Sequence, residues 1–229
     1  MLNISKEDFL ANKYRCYGEQ NPDIMNSPFW NYMVKSRVSV WEACQQFAMD
    51  GERFNDAIWC FDRFGSSETT LADGRKILIG GEHEDFYDDD FCIYNDVTVF
   101  DGDNNFTIYG YPKHVFPPTD FHTATLVDNT IYIIGDLSYR SERSFTETPL
   151  YALDTLSFKI KGIKTQGDKP GWIHNHEAIY LEKENLIYLS GCLISYQRDD
   201  KEILAANTGD YYLDLSLMKW SRVKVNHHM

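Results

Sequence analysis

Hydrophobic residues follow two different spacings along this chain, and the change falls near residue 57. Ahead of it they recur every three to four positions, the period of an amphipathic helix. Ser27-Pro28-Phe29-Trp30 reads as a helix start, with Ser27 as N-cap and Pro28 where a missing N–H costs nothing. Trp30, Met33 and Val34 then share one face. Ser39-Val40-Trp41-Glu42 reads as a second start, a capping box in which Glu42 reaches back to Ser39, with Trp41, Cys44 and Phe47 as its apolar stripe. The spacing predicts an N-terminal helical segment, residues 1–57, packed on something larger.

Beyond residue 57 the apolar runs are short and end in turn residues, the signature of strands. They also repeat. Arg75-Lys76-Ile77-Leu78-Ile79-Gly80-Gly81 returns as Asn129-Thr130-Ile131-Tyr132-Ile133-Ile134-Gly135-Asp136. It returns again as Asn185-Leu186-Ile187-Tyr188-Leu189-Ser190-Gly191-Cys192, with the key glycines 55 and 56 residues apart. One strand precedes each run, at 67–71, 122–126 and 176–181, and another follows it, ending in Asp101, Asp154 or Asp214. An aromatic residue, Phe106, Phe158 or Trp220, comes shortly after each Asp. The reading is a four-stranded antiparallel unit built three times, about 58–112, 113–166 and 167–225, in a second region spanning 58–229. A lone sheet leaves both faces bare, so the units must stack on one another.

This internal order is a first strand with a histidine or small polar residue, an apolar run closing on glycine, a Tyr or Phe with Asp, and a final aromatic. It resembles kelch repeats, the units of kelch-type β-propellers, over about residues 58–225. The resemblance implies a mostly-β fold of kelch-type propeller blades with a short N-terminal helical segment. It also implies a structural place for His122 and His176 at the head of their strands. Two departures stand out. The double glycine is complete only at Gly80-Gly81, and three units are fewer than the four to eight blades that close a propeller. A partial or atypical propeller is therefore expected, its open edge covered by the N-terminal helices, with a homodimer as the next solution.

Charge narrows the partners. The chain carries 22 Lys and Arg against 35 Asp and Glu, a net −13 and a pI near 4.9. Nucleic acid and anionic membranes both need a positive field, so neither is expected as a partner. No apolar stretch is long enough to cross a bilayer, and Glu7 and Asp8 with no apolar run after them do not make a secretory signal. Cys16, Cys44, Cys60, Cys92 and Cys192 are scattered with no C-x-x-C, which reads as reduced thiols in a cytoplasmic protein.

In an up-and-down unit, the loop between the second and third strands leaves from the same end as the connection into the next unit. That rule gathers residues 82–92, 113–122 and 170–176, with 59–63 leading in. The candidate binding rim is Arg63, His83, Asp85, Asp88, Asp90, Asp120, His122, Trp172, His174 and His176. His174 and His176 fall on one side of an extended segment, yet the spacing matches no zinc motif and the acidic loop lacks the plan of a calcium hand. No metal or cofactor is assigned. Without a G-x-S-x-G, H-E-x-x-H or phosphate-cradling glycine loop, no catalytic residue is assigned either. The leading expectation is a non-catalytic protein-binding module, its acidic aromatic rim engaging a basic protein as an inhibitor or immunity-type protein would. The alternative, implied by the resemblance, is a kelch-like enzyme acting at the same rim on a carbohydrate or similar small molecule, with or without a metal.

Overall fold

The computed structural model describes residues 4–47, 56–85, 88–103 and 105–224, with the backbone alone for 84, 85 and 88–90. Three short α-helices open the chain: α1 (Lys6–Asn12), α2 (Pro28–Ser36) and α3 (Val40–Gln46). Ser27 Oγ accepts the Trp30 N–H at 3.2 Å, and Ser39 and Glu42 bond each other reciprocally. α1 opens on another capping box, Ser5 with Asp8, which the search pattern misses because Asp stands where Glu or Gln is usual. One stripe needs correction. Trp41 is half exposed, and the buried face of α3 is Val40, Ala43 and Cys44, continued by Phe47, which is the i, i+3, i+4, i+7 set counted from Val40.

Three antiparallel sheets follow. The first runs β1 (Asp23–Ile24), β7 (Phe106–Gly110), β6 (Val97–Phe100), β3 (Lys76–Ile79), β2 (Ser67–Thr70). The second runs β11 (Ile160–Gly162), β10 (Leu150–Asp154), β9 (Thr130–Ile134), β8 (Thr123–Val127). The third runs β12 (Gln166–Gly167), β19 (Lys219–Arg222), β18 (Tyr211–Asp214), β15 (Leu186–Ser190), β14 (Glu177–Leu181). A hairpin of β4 (Glu82–Asp85) and β5 (Asp88–Ile93) rises between β3 and β6. A small sheet, β13 (Trp172–His174), β16 (Leu193–Arg198) and β17 (Lys201–Ala206), rises beside the third. The first strands β2, β8 and β14 lie side by side where the sheets meet. Among the described residues no barrel closes.

Period-two alternation decides which face meets which neighbour. On β3, Leu78 turns toward the helices, where Phe9, Phe29, Trp30, Met33 and Phe47 form one core with Trp59 and Ile108. Trp30 and Trp59 stack there at 4.8 Å. Ile77 and Ile79 turn the other way, into a core shared with Ile131, Ile133 and Leu153 of the second sheet. Ile134 and Leu150 in turn pack on Ile187, Leu189 and Leu213 of the third. Measured back from the glycine that ends each second strand, Ile77 and Ile79 correspond to Tyr132 and Ile134, then to Tyr188 and Ser190. The series grows more polar toward the last sheet, whose far face carries no fourth sheet among the described residues, as the end of a stacked array requires.

Those glycines keep equivalent places. Gly80, Gly135 and Gly191 all have a positive φ, of 58°, 78° and 68°. A Cβ on Gly135 would stand 2.5 Å from the Ile173 carbonyl oxygen and 2.6 Å from the His176 ring, so the second and third units dock only because no side chain is there. Gly191, at the open end, has nothing within 4 Å. Gly135→Ala is expected to cost more than about 1 kcal/mol and Gly191→Ala less, since it adds only backbone strain; urea unfolding compares the two.

The outer edge of each sheet is also covered. β1 pairs with β7, and β12 pairs in parallel with β19. On β11 the Asn21 side chain bonds both backbone groups of Ile160, at 2.7 and 2.9 Å. Such covers remove the unpaired N–H and C=O rows that template aggregation.

Candidate functional site

Every excursion between a second and a third strand rises from one end of the stack, and the excursions touch in sequence. Phe91 on β5 meets Tyr139 edge to face at 5.6 Å, and Tyr139 Oη accepts the Ile93 N–H at 2.8 Å. Tyr139 belongs to residues 135–149, the excursion of the second sheet. Arg140 and Arg143 from that same loop hold the Glu202 carboxylate on β17. Trp172 Nε1 donates to the Leu137 carbonyl at 3.3 Å, fastening β13 beneath. The result is a continuous wall: hairpin β4–β5, loop 135–149, hairpin β16–β17. The sequence reading placed only the first of these on the rim. The same rule applied to the second and third units would have found Tyr139, Arg140, Arg143 and Glu202.

Under the wall, a backbone ladder joins unit to unit. The Phe121 N–H donates to the Gly65 carbonyl at 2.7 Å, and the Asn175 N–H to the Phe121 carbonyl at 2.9 Å. All three residues are left-handed, with φ of 63°, 49° and 49°. For Phe121 that conformation is costly and is held by the surrounding packing, whereas asparagine at 175 tolerates it. The next residues are histidines, and they bridge the same seams. His122 Nε2 lies 2.8 Å from Ser67 Oγ on β2, and His176 Nε2 lies 2.9 Å from Thr123 Oγ1 on β8. Burial holds His122 down at about 3, with His176 nearby reinforcing it. Burial likewise holds His176 at about 4, with His174 nearby. Both imidazoles are neutral and tie sheet to sheet.

Asp120, also fully buried, meets Asp136. Asp136 Oδ1 accepts the Asp120 N–H at 3.1 Å, and Asp120 Oδ1 accepts the Ser138 N–H at 2.7 Å. Burial raises the Asp136 carboxyl well above the carboxylate range, and the neighbouring Asp120 side chain adds to the effect. His174 stands near this pair at 1% exposure, its basicity lowered by burial and by Arg143. Asp120 Oδ2, both His174 ring nitrogens and Ser195 Oγ are buried with no hydrogen-bond partner among the described residues.

The expected rim residues therefore separate. Asp120, His122, Trp172, His174 and His176 come together, buried below the wall rather than displayed on it. Arg63 is buried too, 5% exposed, in a two-point ion pair with Asp96. His83 sits on β4 opposite Cys92. Asp85 and Asp88 pair across the tip of the β4–β5 hairpin, and their side chains and that of Asp90 lie outside the described residues. What the wall does display is aromatic. Phe64 is 65% exposed and bridges to Glu82, and Phe91 is 47% exposed on β5. Phe64 lies beside the base of the acidic hairpin and Phe91 belongs to it. Among the described residues no three His, Cys, Asp or Glu side chains are grouped to hold a metal ion, and no helix is long and apolar enough to cross a membrane.

These features define a mostly-β protein of antiparallel sheets with three short helices and a polar end built from inter-strand excursions. No protein-family model and no curated protein matches the sequence. Among solved structures the chain is similar to YjhT, a kelch-type protein, with a TM-score of 0.50 and 12% identity over 73% of this chain. That likeness is one of fold, and the match spans 54% of the YjhT chain, about half its length.

Proposed function

We propose that the three sheets are kelch-type blades of a partial propeller, and that the wall at their polar end is a non-catalytic binding surface for a basic protein. The observation carrying this reading is the pair Phe64 and Phe91, both exposed, one bridged to Glu82 and the other on β5 of a hairpin whose sequence from Glu82 to Asp90 holds six carboxylates. Exposed aromatic side chains are anchors that bury well against a partner, and an acidic surround steers a basic one. A net charge of −13 strengthens that field. None of the five cysteines forms a disulfide among the described residues, which suits a cytoplasmic site of action. The role is that of an inhibitor or immunity-type protein, whose complex silences a basic enzyme.

Capture from extracts of the native host tests this. Immobilised protein is expected to retain a protein of high pI, released by added salt, and the double change Phe64→Ser and Phe91→Ser is expected to weaken retention at least about tenfold. Retention unchanged by that variant would sink the reading. The buried acid pair and His174, with open hydrogen-bonding positions, favour a second one, an enzyme acting on a carbohydrate or similar small molecule. Under that reading His174→Ala abolishes turnover and leaves capture untouched.

A further inference from the structure

The chain covers the outer edges of its three large sheets, by β1, by Asn21 and by β12, yet among the described residues it leaves a six-residue edge of the small sheet bare. That edge is β17, Lys201-Glu202-Ile203-Leu204-Ala205-Ala206, which pairs on one side with β16. The two-residue turn Asp199–Asp200 has φ of 50° and 59°, so Arg198 and Lys201 beside it form a hydrogen-bonded pair. Pairing alternates from there: Ile203 and Ala205 bond inward, and the Asn207 N–H to the Cys192 carbonyl, 2.8 Å, continues the same parity. Glu202, Leu204 and Ala206 therefore aim their N–H and C=O groups outward, and no described residue bonds them. The strand has none of the usual guards in its centre: no proline, no bulge, no lysine between Glu202 and Ala206. Leu204 is 53% exposed.

We infer that β17 is an interaction edge for a second copy of this chain, joined antiparallel about a two-fold axis at Leu204. That occupant follows from the strand's self-complementarity. With Leu204 opposite the partner's Leu204, Glu202 falls opposite the partner's Ala206 and the reverse. Every outward backbone group then meets one on the other strand. The exposed leucines cover each other. Lys201 falls opposite the partner's Asn207, so no like charges oppose. The side chain of Glu202 is already held by Arg140 and Arg143 and stays out of the seam. The dimer would join two small sheets into one six-stranded sheet and set two walls side by side, and it does not depend on what those walls bind.

Sedimentation velocity on the full chain, over about two decades of concentration, tests the inference. The expected result is a reversible shift from the 26.7 kDa chain toward twice that mass. Leu204→Pro deletes only an outward N–H and is tolerated on an edge, so it is expected to keep the circular dichroism spectrum and abolish the shift. Should the proline variant misfold, Leu204→Lys places two cations opposite each other, and the dissociation constant is expected to rise at least about tenfold and to recover in salt. A monomer at every concentration overturns the inference. So does a dimer that survives both changes, or one lost on replacing Ile179→Ser on the far face of the third sheet.

Discussion

Replacing Arg63 by alanine is expected to cost about 3–5 kcal/mol of folding stability, the range found when one partner of a buried ion pair is removed. Its guanidinium donates to both Asp96 oxygens, at 2.6 and 3.0 Å, and to the carbonyls of Cys60 and Gly80. It lies over the Tyr94 ring at 3.5 Å and the Trp59 ring at 4.9 Å. Burial alone would weaken the cation, but the Asp96 carboxylate more than restores it and holds its pKa above the ordinary value. Without Arg63 the Asp96 carboxylate, 6% exposed, keeps only the Trp59 N–H at 2.9 Å. Thermal unfolding should fall by about 6–20 °C, at about 2–4 °C per kcal/mol for a chain of this size. Arg63→Met with Asp96→Leu should cost less than Arg63→Ala alone, because no charge is then stranded. A loss below about 1 kcal/mol for Arg63→Ala would show that the buried pair does not hold the 60–63 segment to the first sheet.

Arg63 also shows where sequence reading stops. Its charge and its place ahead of the first strand suggest a displayed cation, and only the fold brings Asp96, Tyr94 and Trp59 around it. The repeat is legible because period-two alternation and turn geometry are local. Alternation puts Ile77 and Ile79 into one core with Ile131 and Ile133 and Leu189 into the next, and Gly80, Gly135 and Gly191 share a positive φ. Capping at Ser27 and Ser39 was legible for a local reason, since three residues determine it. Trp41 was misjudged because two stripes one residue apart look alike in a helix of two turns.

The site was less legible. The sequence points to His122, His174, His176 and Asp120 as displayed residues, whereas the fold buries them, His122 and His176 through contacts across more than fifty residues. Asp136 was hidden by its place in the repeat. It stands where the first unit has Gly81, so it reads as a degraded glycine rather than as a carboxyl aimed at Asp120. The backbone ladder has no sequence signal at Phe121, whose residue type disfavours a positive φ, and only a weak one at Asn175, since asparagine adopts it more readily than other side-chain-bearing residues.

Acid should loosen the seams between the sheets. His122 and His176 have an ordinary value of 6.5 and are held at about 3 and about 4 in the fold, so the unfolded chain takes up their protons first. Their contribution is complete above pH 6.5 and is lost as pH falls from there toward those lower values. At pH 5 the loss is about 2 kcal/mol for each, from about 1.4 kcal/mol per pH unit. His174 shifts in the same direction. Asp136 opposes them: a raised carboxyl binds its proton in the fold before the unfolded chain does, so its contribution grows as pH falls toward 3.8. Each group changes by at most one proton, and three imidazoles against one carboxyl leave a net loss. Urea unfolding between pH 7 and pH 5 should show it. His122→Gln keeps a partner for Ser67 without a titrating ring, so the slope should flatten, whereas Asp136→Asn removes the opposing carboxyl and should steepen it. A wild-type stability that holds level or rises toward pH 5, or a His122→Gln slope equal to wild type, would show that these imidazoles do not control the seams.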